Sequence, residues 1–232
     1  MKPSGFTNQI LSRVSLHELQ TFRSSLTLVD VGRFEHLLEP FEVIDYVYFP
    51  EDAVCSVQAF TENKPPIEVG MFGKEGMSNF VVRPGDRSYF RTTVLLQGRA
   101  WRLPADVFAK ALGTCPSLNE VTLRFKDTAA IQYGFTSFAN GSFTIEQRLA
   151  RWLLMAHDRI GHETIGVVHD SIALLLAVRR SGVTNATHVL ESTGAIKATR
   201  GTIVIRDRQK LLDIAGESYG SSEIAYAHLM TY

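Results

Sequence analysis

Cysteine is scarce in this chain: Cys55 and Cys115 are the only two in 232 residues. Two thiols cannot build a disulfide framework or a cluster held by four thiolates, so both are expected reduced and buried. A single His or Cys can ligate haem, which leaves that group open. Net charge is also missing, because 24 basic and 24 acidic side chains cancel to +0. Any affinity for nucleic acid must then come from a local basic patch, not from overall charge. Long apolar runs are lacking, and the stretch from Ile172 to Val178 is far too short to span a bilayer. Met1-Lys2-Pro3-Ser4-Gly5 lacks the charged-then-apolar plan of a signal peptide, so a cytoplasmic location is expected. Chemistry-bearing motifs are thin as well. There is no P-loop, and Gly70, Gly73 and Gly76 do not follow the dinucleotide pattern. His162-Glu163-Thr164-Ile165-Gly166 begins like a zinc-protease motif without its second histidine, and the seven histidines show no metal spacing. An enzyme is not expected.

What is present is ordered. Apolar residues at helical spacing between Gln9 and Ser25 indicate one or two short helices. From Leu37 the texture becomes β-branched and aromatic. Strands are expected within Phe41–Pro50 and over Val54–Phe60, Ile67–Phe72, Arg91–Leu96 and Arg99–Leu103, separated by Gly- and Pro-rich turns such as Glu62-Asn63-Lys64-Pro65-Pro66 and Arg83-Pro84-Gly85-Asp86. This pattern predicts a compact antiparallel β barrel or sandwich. Pro104 opens a helical stretch. A long helix follows over 117–139, with Leu118, Val121, Phe125, Thr128, Gln132 and Phe135 forming a seam suited to a dimer contact. Asn140-Gly141-Ser142 breaks the pattern and divides the chain into domains 1–140 and 141–232.

Thr144-Ile145-Glu146-Gln147 spells a capping box for a helix that stops before Gly161. From Asp170 to Ile205 a short helix, a tight turn near Ala177-Val178-Arg179, a second helix ending at Gly194 and a hairpin around Arg200-Gly201 make a winged helix-turn-helix. On the second helix Val183, Ala186, Thr187 and Leu190 should face inward. Arg179, Arg180, Ser181, Thr184 and Asn185 should face outward, with His188 one turn further. Arginine matches the acceptor pair of guanine, asparagine can do the same for adenine, and Ser or Thr serve base edges or phosphate. Lys197, Arg200, Arg206 and Arg208 would add positive charge beside the DNA backbone. Gly182 inside that helix is an oddity that costs about 1 kcal/mol relative to Ala, tolerable if a close backbone approach is needed there.

Taken together, Asp45-Tyr46-Val47-Tyr48-Phe49-Pro50, Gly73-Lys74-Glu75-Gly76-Met77, the helix Glu146–Arg159, Leu190-Glu191, Gly194-Ala195-Ile196 and Arg200–Ile205 resemble the Crp/Fnr family of bacterial regulators over nearly the whole chain. The resemblance implies an α+β protein. Its parts would be an N-terminal, cyclic-nucleotide-binding-like antiparallel β-roll, a long dimerisation helix and a C-terminal winged helix-turn-helix. It further implies a homodimeric transcription regulator on a two-fold symmetric operator, with RNA polymerase as a further partner. Arg180 falls where the family commonly reads a base, whereas Ser181 and Asn185 replace its usual acidic and second arginine positions. Family members that bind cyclic AMP use a Gly-Glu pair and an Arg-Ser pair; here Glu75-Gly76 and Arg87-Ser88 stand in roughly corresponding places. The surrounding motif departs from the nucleotide-binding form, and Arg87 reads equally as a loop charge beside Asp86. Cyclic nucleotide is therefore not the favoured effector. The competing reading is a ligand-binding or protein-interaction module of the same fold that does not bind DNA.

Overall fold

A computed structural model describes residues 5–79, 83 and 85–231. After α1 (Leu16–Phe22), whose N-cap Ser15 accepts from the Glu18 amide, the chain enters seven strands. They are β1 (Thr27–Val31), β2 (His36–Leu38), β3 (Tyr46–Pro50), β4 (Val54–Thr61), β5 (Lys64–Phe72), β6 (Arg91–Leu96) and β7 (Gly98–Pro104). They form two antiparallel sheets, ordered β1-β7-β3 and β2-β6-β4-β5. Alternation along the strands buries Val47, Phe49, Val94 and Leu103 between the sheets. The expected strands are present. β1 and β2 are additional strands: β1 is mostly exposed and β2 has only three residues, so neither gives much alternation to detect.

Two helices complete this roll: α2 (Ala105–Thr114) and α3 (Pro116–Ser142). α3 is one helix of 27 residues. It runs through Asn140 and Gly141, past the expected end near 139, because the Phe143 amide still bonds back to Ala139 O at 3.2 Å and the Phe138 and Phe143 rings meet edge to face. The expected dimer seam is corrected. Leu118, Val121, Phe125 and Thr128 are buried, the first three within the roll's own core, and Gln132 accepts a 2.7 Å hydrogen bond from the Met71 amide. Gly76 owes its lack of a side chain to the same packing, since a β-carbon there would sit 2.5 Å from the Phe125 ring.

The remainder comprises α4 (Ile145–Ile160), β8 (Thr164–Ile165), α5 (His169–Leu175), α6 (Arg180–Ser192), β9 (Ile196–Thr199), β10 (Thr202–Ile205), α7 (Arg208–Ala215) and α8 (Ser221–Leu229). The capping box of Thr144 and Gln147 opens α4, and left-handed Gly161 closes it. A second core gathers Leu149, Leu153, Ile172, Val183, Leu190 and Ile203, and extends onto Val54, Met71 and Leu95 of the roll. α8 returns to the first half of the chain, with Met230 buried in the roll's core and Arg13 and Arg124 donating to the carbonyls of Met230 and Leu229. Among the described residues no helix is long and apolar enough to cross a membrane.

Candidate nucleic-acid interface

α5 and α6 are joined by a turn that places Ala177 at φ +52°, a left-handed conformation unusual for a residue with a β-carbon. Arg148 of α4 donates to the Leu176 carbonyl at the end of α5, which pins that turn against the core. α6 then buries Val183, Ala186, Thr187 and Leu190, as its spacing requires. Its end is sealed by Gly194 at φ +77°, with the Ala195 amide bonding back to Leu190 O. Gly182 sits where α6 crosses the start of α4, and a β-carbon there would come within 3.0 Å of Ile145 Cδ1. That approach is tighter than ordinary contact and accounts for the glycine inside the helix.

The opposite face of α6 is open. Arg179, Arg180, Ser181, Asn185 and His188 are exposed. Thr184 is half-buried, its hydroxyl donating to Arg180 O at 3.2 Å and lying 3.3 Å from His169 Nδ1. Arg180 is not idle: its Nε lies 3.2 Å from Asp170 Oδ1 on α5, both side chains being well exposed. The hairpin β9–β10 follows as a wing, turning at Arg200 and Gly201, the latter at φ +78°. Glu191 ties wing to helix, accepting from the Ala198 amide at 2.9 Å and facing Lys197 Nζ at 3.5 Å and His188 Nδ1 at 3.7 Å. The amide bond from Ala198, and then the charges of Lys197 and His188, hold its carboxyl below the usual range. Arg179, Arg200 and Arg206 are exposed with no ion-pair partner among the described residues. Arg208 does not join this patch. It bonds Asp158 at 2.7 Å and Tyr219 at 3.1 Å, on the side of α4 and α7. On the near side of α5, the β4–β5 hairpin tip at Lys64, Pro65, Pro66 and Ile67 shares a groove with Asp170 and Arg179.

The expected effector residues fall in two places. Glu75 and Gly76 lie where the roll meets α3 and α4: Glu75 pairs with Arg159 Nε at 2.8 Å and accepts from the Gly73 amide. Arg87 and Ser88 lie away from them. Exposed Arg87 donates to Phe41 O, and buried Ser88 bonds Phe90 O at 2.6 Å. The four do not line one cavity. Met77, Ser78 and Asn79 are described, whereas Phe80 and Pro84 lie outside the described residues.

Gly216-Glu217-Ser218-Tyr219-Gly220 spells the G-x-S-x-G of a hydrolase elbow, although no enzyme is expected. Its geometry is wrong for a nucleophile. Ser218 is buried in a single 3-10 turn between α7 and α8, not between a strand and a helix, and donates to Ala215 O at 2.7 Å.

Comparison with known proteins gives a consistent picture. Residues 147–214 match the Crp-like helix-turn-helix domain. No curated protein is significantly similar in sequence. Solved structures match nearly end to end. FixK2 from Bradyrhizobium japonicum has a TM-score of 0.71 at 15% identity, over 82% of this chain and 98% of that one. A CRP/FNR-family transcriptional regulator from Thermus thermophilus has a TM-score of 0.66 at 17% identity, over 84% and 100%. The c-di-GMP-responsive global regulator CLP of Xanthomonas campestris has a TM-score of 0.66 at 12% identity, over 82% and 99%.

Proposed function

Because the chain has the Crp/Fnr regulator fold and carries a Crp-like helix-turn-helix at residues 147–214, we propose that it is a transcription regulator that reads double-stranded DNA with α6 and its wing. The observation that carries this reading is the exposed start of α6: Arg179, Arg180, Ser181 and Asn185 stand on one open face, flanked by Lys197 and Arg200 of the wing. Guanidinium and amide groups there suit base edges in the major groove, and the wing cations suit phosphate. The patch is local within a chain of zero net charge, as a modular reader requires.

The reader acts as a homodimer on a two-fold symmetric operator, and α3 supports this with a different face from the expected seam. Leu123, Asp127, Ala130, Gly134, Ser137 and Gly141 recur at four- and three-residue steps, and all are exposed. A β-carbon at Gly134 or Gly141 would meet nothing, so this stripe has room for a second helix at close range. The protein works in the cytoplasm, with RNA polymerase as its further partner, and the roll serves as the sensing unit. The division into 1–140 and 141–232 separates sensing from reading.

Selection of bound duplexes from random DNA, followed by gel-shift titration, tests this reading. Arg180→Ala should weaken binding to the selected operator about 5- to 150-fold, the 1–3 kcal/mol of one bidentate base contact, while fold and dimer persist. No enriched sequence, or an unchanged affinity, would favour the same fold working through protein contacts alone.

A further inference from the structure

A cavity of about 250 Å³ lies where the roll, α3, the end of α4 and α8 meet. Its floor is apolar: Val57, Met71, Phe72, Met77, Phe125 and Ala129. Its polar lining divides into acids that have partners within the protein and donors that have no protein acceptor among the described residues. Glu75 accepts from the Gly73 amide and is ion-paired with Arg159, although Oε1 and Nε make no hydrogen bond, and Asp158 is held by Arg208 and Tyr219. Glu223 accepts from the Gly220 amide and Ser222 and feels the charge of Arg151. Lys74, Gln132 and Tyr133 differ. The Lys74 ammonium has no partner among the described residues. Gln132 spends its oxygen on the Met71 amide, which leaves its NH₂ group without an acceptor among those residues. The Tyr133 hydroxyl likewise has none, and burial pushes its pKa up to about 12, which keeps it a donor.

Three donors without acceptors around an apolar floor describe a ligand with an acceptor head and a hydrophobic body. One unpaired cation matches one negative charge. A phosphate dianion would need an arginine fork or a second cation, and the one arginine lining the cavity, Arg159, is spent on Glu75, Met155 O and Met71 O. We propose that this cavity is a binding site for a small aromatic or branched monocarboxylate, with Lys74 pairing the carboxylate and Gln132 and Tyr133 donating to it. The site is distinct from the Arg87-Ser88 pair, which does not line it. Its walls come from both halves of the chain, and Tyr226 of α8 bonds Gln9 Oε1 and Glu75 O across its rim. An occupant therefore touches the roll and the reading unit together. This regulatory use rests on the function proposed above; the binding does not.

Calorimetric titration of the full chain without DNA tests the site, using 3-phenylpropionate and 4-methylpentanoate beside their neutral amides. At least one acid should bind ~10-fold or more tightly than its amide, a difference of about 1.4 kcal/mol. Lys74→Met should bring the acid down to the amide's affinity. Ala129→Phe, which fills the floor, should abolish binding of both, with thermal melting confirming that each variant is folded. Equal binding of acid and amide, binding of neither, or an unaffected Lys74→Met would overturn the proposal. Because no DNA is present, failure of the operator selection would overturn the DNA-reading function and leave this site standing.

Discussion

Arg180 and Asp170 face one another across the turn of the helix-turn-helix, 3.2 Å apart and well exposed. An exposed pair of this kind contributes at most about 1 kcal/mol. Reaching a base requires Arg180 to leave it, and Asp170 also places a negative charge near the phosphates. Asp170→Asn should therefore tighten operator binding by up to about fivefold while lowering stability by no more than about 1 kcal/mol. A gel-shift titration reads this directly, and weaker binding would mean that Asp170 orients Arg180 rather than competing for it. At this scale the sequence was informative wherever one helical period decided the matter. Val183, Ala186, Thr187 and Leu190 turn inward, and Arg179, Arg180, Ser181, Asn185 and His188 turn outward, as spacing alone dictates. It misled where a partner lay far along the chain: Arg208 has a basic neighbourhood in sequence, yet binds Asp158, fifty residues away.

At the level of elements, α3 shows why periodicity finds a helix and cannot choose its faces. Leu118, Val121 and Phe125 recur as a coiled-coil seam would, but the nearest apolar surface is the roll of the same chain, and it takes them. The outward stripe of Leu123, Ala130, Gly134 and Ser137 is mostly small, so hydrophobicity does not announce it. Small side chains matter there because they set how closely a second helix can lie. Ala130→Glu would confront each copy with the other's carboxylate, next to Asp127, in a desolvated contact. Sedimentation should show dimer association weakened by at least ~100-fold, about 3 kcal/mol for a buried unpaired charge. The circular-dichroism spectrum should be unchanged, since Ala130 is exposed within one protomer. A persistent dimer would move the interface off this stripe. Most of the roll's strands and the wing were announced by turn residues, whereas α8 was not, because its helix is held by Gln9, Glu75 and the roll's core rather than by a pattern of its own.

Across the whole molecule, the order of roll, long helix and winged helix-turn-helix was legible from strand texture, capping box and glycine stops. How the two cores join was not, because that junction is built from pairs remote in sequence. Glu68 of β5 is its clearest member. Buried at 5% exposure, it accepts from Ser56 at 2.6 Å and from the indole Nε1–H of Trp152 on α4 at 3.0 Å. Burial pushes its pKa up to about 7, against the opposing pull of Ser56, Arg151, Trp152 and Arg159. The consequence for stability has a definite sign. Below the unfolded value of 4.5 both states hold the proton, and burial of Glu68 carries no charge penalty. Between 4.5 and about 7 the unfolded chain releases its proton while the folded chain keeps it, so stability falls as pH rises and levels off above about 7. The loss is on the order of 3 kcal/mol. Glu68→Gln keeps an acceptor for Trp152 and removes the titration. Urea midpoints measured from pH 4 to 8 should fall more steeply for the native chain than for this variant, by roughly that amount, with the two curves converging towards acid. Parallel curves would mean that Glu68 is solvated in the folded state, and that the contact between roll and α4 opens without cost to the fold.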